Sequence, residues 1–146
     1  MSSLREYLTS LGFERIGLKK LKTGHYKFSV IINDIPGKFI LDTGASTSCI
    51  GIMEAHPFQL VTEKSDVKAA GAGAVDMETH STQSSILSIG SIVLHNWPFV
   101  LFDLVHVNHA LTQVAEEKVD GIIGADILKK LHAVIDYGRN CVYFKK

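Results

Sequence analysis

The sequence predicts a mainly β domain, a sandwich or a barrel. Two observations predict it. Apolar residues alternate with polar ones in several short segments, and turn-forming residues separate those segments at close intervals. Composition agrees, since 146 residues that are 46% hydrophobic and 21% charged suit one globular unit with a real core. The expected organisation is a single domain over 1–146. Residues 1–22 form an N-terminal helix and lead-in strand, and 23–146 form the body.

Ser3 followed three residues later by Glu6 fits a capping box. Leu4, Tyr7, Leu8 and Leu11 follow at helical spacing, with Gly12 as a C′ residue, so the chain opens with a short amphipathic helix docked on the surface. Tyr26, Phe28, Val30 and Ile32 then alternate as a half-buried strand, and 33–37 (Asn-Asp-Ile-Pro-Gly) reads as a turn. Lys38 to Leu41 returns as the second strand of a hairpin, which ends on Asp42. Further strands are expected at 75–79, 85–89, 92–95 and 98–104, with Gly90-Ser91 as a turn between two of them. Asn108 is expected to cap a short helix reaching about Glu117, and 125–131 reads as another. Val134–Asp136 and Cys141–Phe144 form a closing hairpin around 137–140.

Lysines plus arginines equal aspartates plus glutamates, 15 each, and no basic cluster advertises nucleic acid or a membrane surface as a partner. The N-terminus lacks a basic stretch followed by a continuous apolar run, and no apolar run approaches the roughly 20 residues of a membrane-spanning helix. The expected location is therefore cytoplasmic. Cys49 and Cys141 are too few for a disulfide framework and are expected as reduced, buried thiols. His106 and His109 share helical spacing, but no third ligand follows at a metal-site interval, so no metal or other cofactor is expected.

Two motifs carry the chemistry. Phe39-Ile40-Leu41 delivers Asp42, which is followed at once by Thr43, Gly44 and Ala45. Ile122-Ile123-Gly124 comes 80 residues after Asp42 and leads into a helix-like segment. An acid-Thr-Gly loop after an apolar strand, then two apolar residues and a glycine before a helix, resembles the retropepsin-like aspartic proteases. The resemblance spans about Thr23 to Phe144. It implies a retropepsin-like half-barrel, mainly β, that works as a homodimer on peptide or protein substrates. Asp42 would be the catalytic acid, supported by Thr43, Gly44 and Ala45, while Ile122, Ile123 and Gly124 would pack behind the loop. The small residues Ala70, Gly71, Ala72, Gly73 and Ala74 would form a flap tip over the substrate, since two glycines permit unusual backbone angles.

Two-lobed aspartic proteases have two such loops, and this chain has one. The partner of Asp42 is thus expected to be Asp42 of a second copy across a two-fold axis. Two carboxylates so close share one proton: the ionised one acts as general base on a water, and the protonated one donates to the peptide carbonyl. The resemblance also assigns Thr43 a hydroxyl bond to the other loop, and Val134–Phe144 a place in a sheet shared by both subunits. Two departures stand out. Viral members pair an acid at the position of Ser46 with an arginine at the position of Ala125, and neither is here. Ala45 also replaces a hydroxyl that donates to the carboxylate in two-lobed relatives. With one donor fewer the pair should titrate higher, giving an optimum between about pH 5 and 7. The alternative reading is a non-catalytic peptide-binding or dimerisation module of the same fold.

Overall fold

The computed structural model describes the backbone of residues 3–54, 57–71, 74–83 and 85–146, and the side chains of these residues except 61–71, 74–83 and Phe102. In chain order the elements are helix α1 (Leu4–Ser10), strands β1 (Glu14–Gly17), β2 (Lys19–Lys20), β3 (Tyr26–Ile32), β4 (Ile35–Leu41) and β5 (Cys49–Gly51), then β6 (Val61–Gly71), β7 (Ala74–Gln83), β8 (Ser85–Ile89), β9 (Ile92–Trp97) and β10 (Val100–Phe102). Helix α2 (Val105–Gln113), β11 (Gly121–Ile123), helix α3 (Ala125–Lys130), β12 (Val134–Asp136) and β13 (Cys141–Phe144) complete the chain. Short 3-10 turns cover Ile52–Glu54 and Tyr137–Arg139.

The capping box holds: the Ser3 hydroxyl accepts from Glu6 N at 3.1 Å, and Gly12 takes the left-handed C′ position with φ of 90°. Only Leu8 of the expected apolar face is buried, against Cys141 and Tyr143, while Leu4, Tyr7 and Leu11 remain exposed. The hairpin of β3 and β4 is tighter than expected. Asn33 and Asp34 both have positive φ, so they alone make the turn and Ile32 faces Ile35. Pro36 is tolerated in the strand because β4 meets β11 only at Phe39–Leu41, which leaves Pro36 on an edge.

One ten-stranded sheet runs β6-β7-β10-β5-β11-β4-β3-β8-β9, with β2 added to β3. It curls around a core that includes Phe28, Val30, Ile32, Phe39, Leu41, Ile123 and Phe144. A second sheet has the order β1-β13-β12. Residues 134–144 do form the expected hairpin, but β13 lies between two strands of its own chain and all four of its residues are buried. Any strand added by a second subunit would therefore meet the outer edge of β1 or β12, since both edges of β13 are taken. Among the described residues, no helix is long and apolar enough to cross a membrane. Cys49 and Cys141 are free and buried, as expected.

Candidate active site

Asp42 stands where β4 ends. β4 runs parallel to β11 with Ile40 opposite Ile122 and Leu41 opposite Ile123, so the two sequence motifs are neighbours in space. Asp42 N donates to Ile123 O at 3.0 Å, continuing the ladder to the acid itself. The loop then turns back on the carboxylate: Gly44 N donates to Asp42 Oδ1 at 2.9 Å and Ala45 N to Asp42 O at 3.3 Å. Asp42 is half-buried, whereas Thr43 and Gly44 are exposed.

The loop and the second motif are fastened by contacts between backbones. Ala125 N donates to Ala45 O at 2.7 Å. A Cβ on Gly124 would lie 2.6 Å from Ala45 O and 3.2 Å from Ala45 Cβ, which no side chain tolerates. Gly121 is equally constrained, as its Cβ would fall 2.3 Å from Cys49 O. Below the loop sits a polar knot that the motifs alone did not reveal. Ser48 N and Ser48 Oγ both donate to Asp126 Oδ1, at 2.9 and 2.6 Å, and Gly124 N donates to Ser48 Oγ at 2.8 Å. Ile127 N adds a third donor to Asp126 Oδ1 at 2.8 Å. These bonds join the two motifs close to Ser46 and Ala125, which form no ion pair. In the sequence, Asp126 lies two residues after Gly124 and Ser48 six after Asp42, positions that gain meaning only once β4 and β11 are paired.

Of the residues expected at the site, Asp42 to Ala45 and Ile122 to Gly124 converge. The expected flap lies elsewhere on the sheet, where β6 and β7 form a long antiparallel hairpin with Gly71 opposite Ala74. Ala70 is in β6, and Ala72 and Gly73 fall outside the described residues. The Cys49 thiol is pushed well above the ordinary thiol range by burial, and the charges of Asp126 and Asp42 push the same way against a bond from the Ile122 backbone. It is a protonated, packed thiol rather than a nucleophile.

The sequence model of a family described as aspartyl protease matches residues 28–127, two thirds of the chain, and spans both motifs. The chain belongs to the aspartyl proteases. A search of curated proteins finds no match. Among solved structures, this aspartyl protease is similar to a retropepsin-like aspartic protease from Rickettsia conorii, with 14% identity, TM-score 0.59 and coverage of 90% of this chain and 89% of that one. It is also similar to the retroviral protease-like domain of Ddi1 from Leishmania major, with 19% identity, TM-score 0.52 and coverage of 81% and 86%. EIAV protease complexed with the inhibitor HBY-793 matches at 23% identity and TM-score 0.50, covering 75% and 90%. At these identities the likeness concerns the fold, which is retropepsin-like and mainly β.

Proposed function

We propose that this aspartyl protease is an endopeptidase acting on extended polypeptide, with an active site at the two-fold axis of a homodimer. One observation carries the reading. The chain has a single Asp-Thr-Gly loop, presented at a strand end with Thr43 and Gly44 exposed, and acid–acid catalysis needs two carboxylates. A second copy supplies the second Asp42. In that assembly the ionised Asp42 takes a proton from the attacking water and its mate protonates the carbonyl oxygen of the scissile bond. Gly44 N, already on Asp42 Oδ1, holds that oxygen still and leaves Oδ2 toward the water. Thr43 reaches the partner loop, Ile122 and Ile123 back the acid, and 70–74 close as the flap.

The test is cleavage of an unstructured peptide mixture from pH 3 to 8, read by mass spectrometry, wild type beside Asp42→Asn. The expected result is specific products from the wild type alone, most abundant between about pH 5 and 7, and a loss of about 100-fold or more in the variant. Products that persist in Asp42→Asn, or a maximum near pH 3, overturn the catalytic assignment or the optimum. No products from either protein would favour a non-catalytic peptide-binding or dimerisation module.

A further inference from the structure

The face of the sheet that carries Asp42 is apolar, and the chain covers it with itself. Ile40, two residues before Asp42, shares its face. Ile40 is in register with Ile122, Ile122 with Cys49, and Cys49 with Val100, which makes one row across β4, β11, β5 and β10. Phe39, Leu41 and Ile123 point the other way, into the main core. All four residues of the row are buried, clustered with Leu104, Val107, Leu111 and Val119 and with Leu21 from the turn after β2. Ala45 of the Asp42 loop packs against the same cluster.

The row begins roughly 7 Å from Asp42, one strand repeat away. A side chain flanking a bond cut at Asp42 could rest on this apolar row. That ground is covered mainly by leucines and valines of 104–119, with Leu21 at its margin outside that segment. We infer that residues 103–119, built around α2, are a lid that fills the apolar subsite beside Asp42 and swings out to admit a substrate side chain. This inference rests on the reading that the peptide lies across Asp42.

The segment is built as a separable unit. Asn108, inside α2, ties the helix to the segment's last residue: its Nδ2 donates to Val119 O at 3.2 Å and its Oδ1 accepts from Val119 N at 2.8 Å. Asp120 fixes the far end to the sheet, with Asp120 N on Lys38 O, Lys38 N on Asp120 Oδ2 and Gly51 N on Asp120 O, each 2.8 Å. Between these points, among the described residues, one hydrogen bond joins 105–119 to the rest of the chain, from Lys22 N to Glu116 Oε2 at 3.1 Å. Among the described residues, what else holds it down is apolar contact and the attraction of Lys118 for Glu54. Its other flank borders a cleft of about 350 Å³ against Gly51, Met53 and Glu54, which gives it room to move. Lifting the segment costs the burial of Leu104, Leu111 and Val119, and that local cost lies below global unfolding because the rest of the sheet keeps its core.

Cys49 lies under the lid and reports its opening. Iodoacetamide alkylation of Cys49, followed by peptide mapping across low urea concentrations, is the test. A lid gives a Cys49 rate that stays flat with urea below the unfolding transition. Asn108→Ala should raise that rate about tenfold with little change in the unfolding midpoint. Glu116→Ala, which removes the tie to Lys22 and leaves the covering side chains in place, should raise it by a smaller factor. A Cys49 rate that rises with urea in step with global unfolding in all three proteins overturns the lid, because α2 is then ordinary core. Peptide cleavage is followed in parallel. A mobile Cys49 with no cleavage by wild type or Asn108→Ala keeps the lid and removes the protease reading. Cleavage with Cys49 opening only on global unfolding does the reverse.

Discussion

The two sides of Asp42 are held by different forces. Beneath it, residues 42–48 and 122–127 are joined by directed bonds: the Asp42 amide, the Ala125 amide and the Ser48–Asp126 knot, with backbone packed too closely for a Cβ at Gly124. Beside it, α2 lies on the row of Ile40, Ile122, Cys49 and Val100 through methyl groups, with little polar fastening. Directed bonds fix position, because stretching any one of them strands a desolvated donor or acceptor. Apolar contact is non-directional: it lets a segment slide without stranding a donor or acceptor, and opposes lifting only in proportion to the apolar area exposed. An acid that pairs with a second Asp42, as proposed, needs the first kind of support. A surface that admits peptide side chains, as inferred for this row, needs the second.

Three variants sharpen this contrast. Gly124→Ala should have the largest effect, because the new methyl would press on the Ala45 carbonyl oxygen and neither backbone can yield without moving the Asp42 loop. The expected cost is about 3 kcal/mol or more, together with loss of peptide cleavage. A urea midpoint close to that of the wild type would show that the two motifs are not locked. Asp126→Ala ranks next. It leaves Ser48 N and Ser48 Oγ without their acceptor and weakens the hold on Gly124, for about 2–3 kcal/mol. Asp126→Asn keeps an accepting oxygen and should recover most of that loss, which a simple packing role for the side chain would not predict.

Much of this was legible in the sequence, for reasons that are local. The Ser3 cap, the strands at 26–32 and 85–89 and the closing hairpin announce themselves through spacing within a few residues. The two motifs were legible because each pairs an apolar strand with a residue type that the site requires. What escaped depends on distant partners. β5 has three residues and no periodicity of its own, and exists because β10 and β11 flank it. Asn108 looks like a helix cap, yet α2 starts three residues earlier without any side-chain cap, and Asn108 bonds Val119 instead. The Ser48–Asp126 knot spans 78 residues, and neither residue type signals it alone. The β12–β13 hairpin reads from the sequence, and only the fold shows β1 closing the other side of β13.

The smallest expected effect falls on the yielding side. Glu54 lines the cleft behind α2 with Lys118 and Val119. Its carboxyl is held above the ordinary value of 4.5, chiefly by burial, with the Asp120 charge adding to it and Lys118 opposing. A carboxyl whose pKa is higher folded than unfolded holds its proton longer in the folded state, so stability falls as pH rises from the unfolded value through the folded one. Below that window both states are protonated and nothing is lost. Glu54→Gln removes the charge and should raise the unfolding midpoint at pH 7 while leaving it nearly unchanged below pH 4.5. The gain is small, because the side chain is only partly buried and water screens it. If the lid moves on its own, the same substitution should also slow Cys49 alkylation at pH 7, since it relieves a charge held in the cleft that α2 closes. A midpoint that rises equally at both pH values would assign the effect to packing and detach Glu54 from the lid.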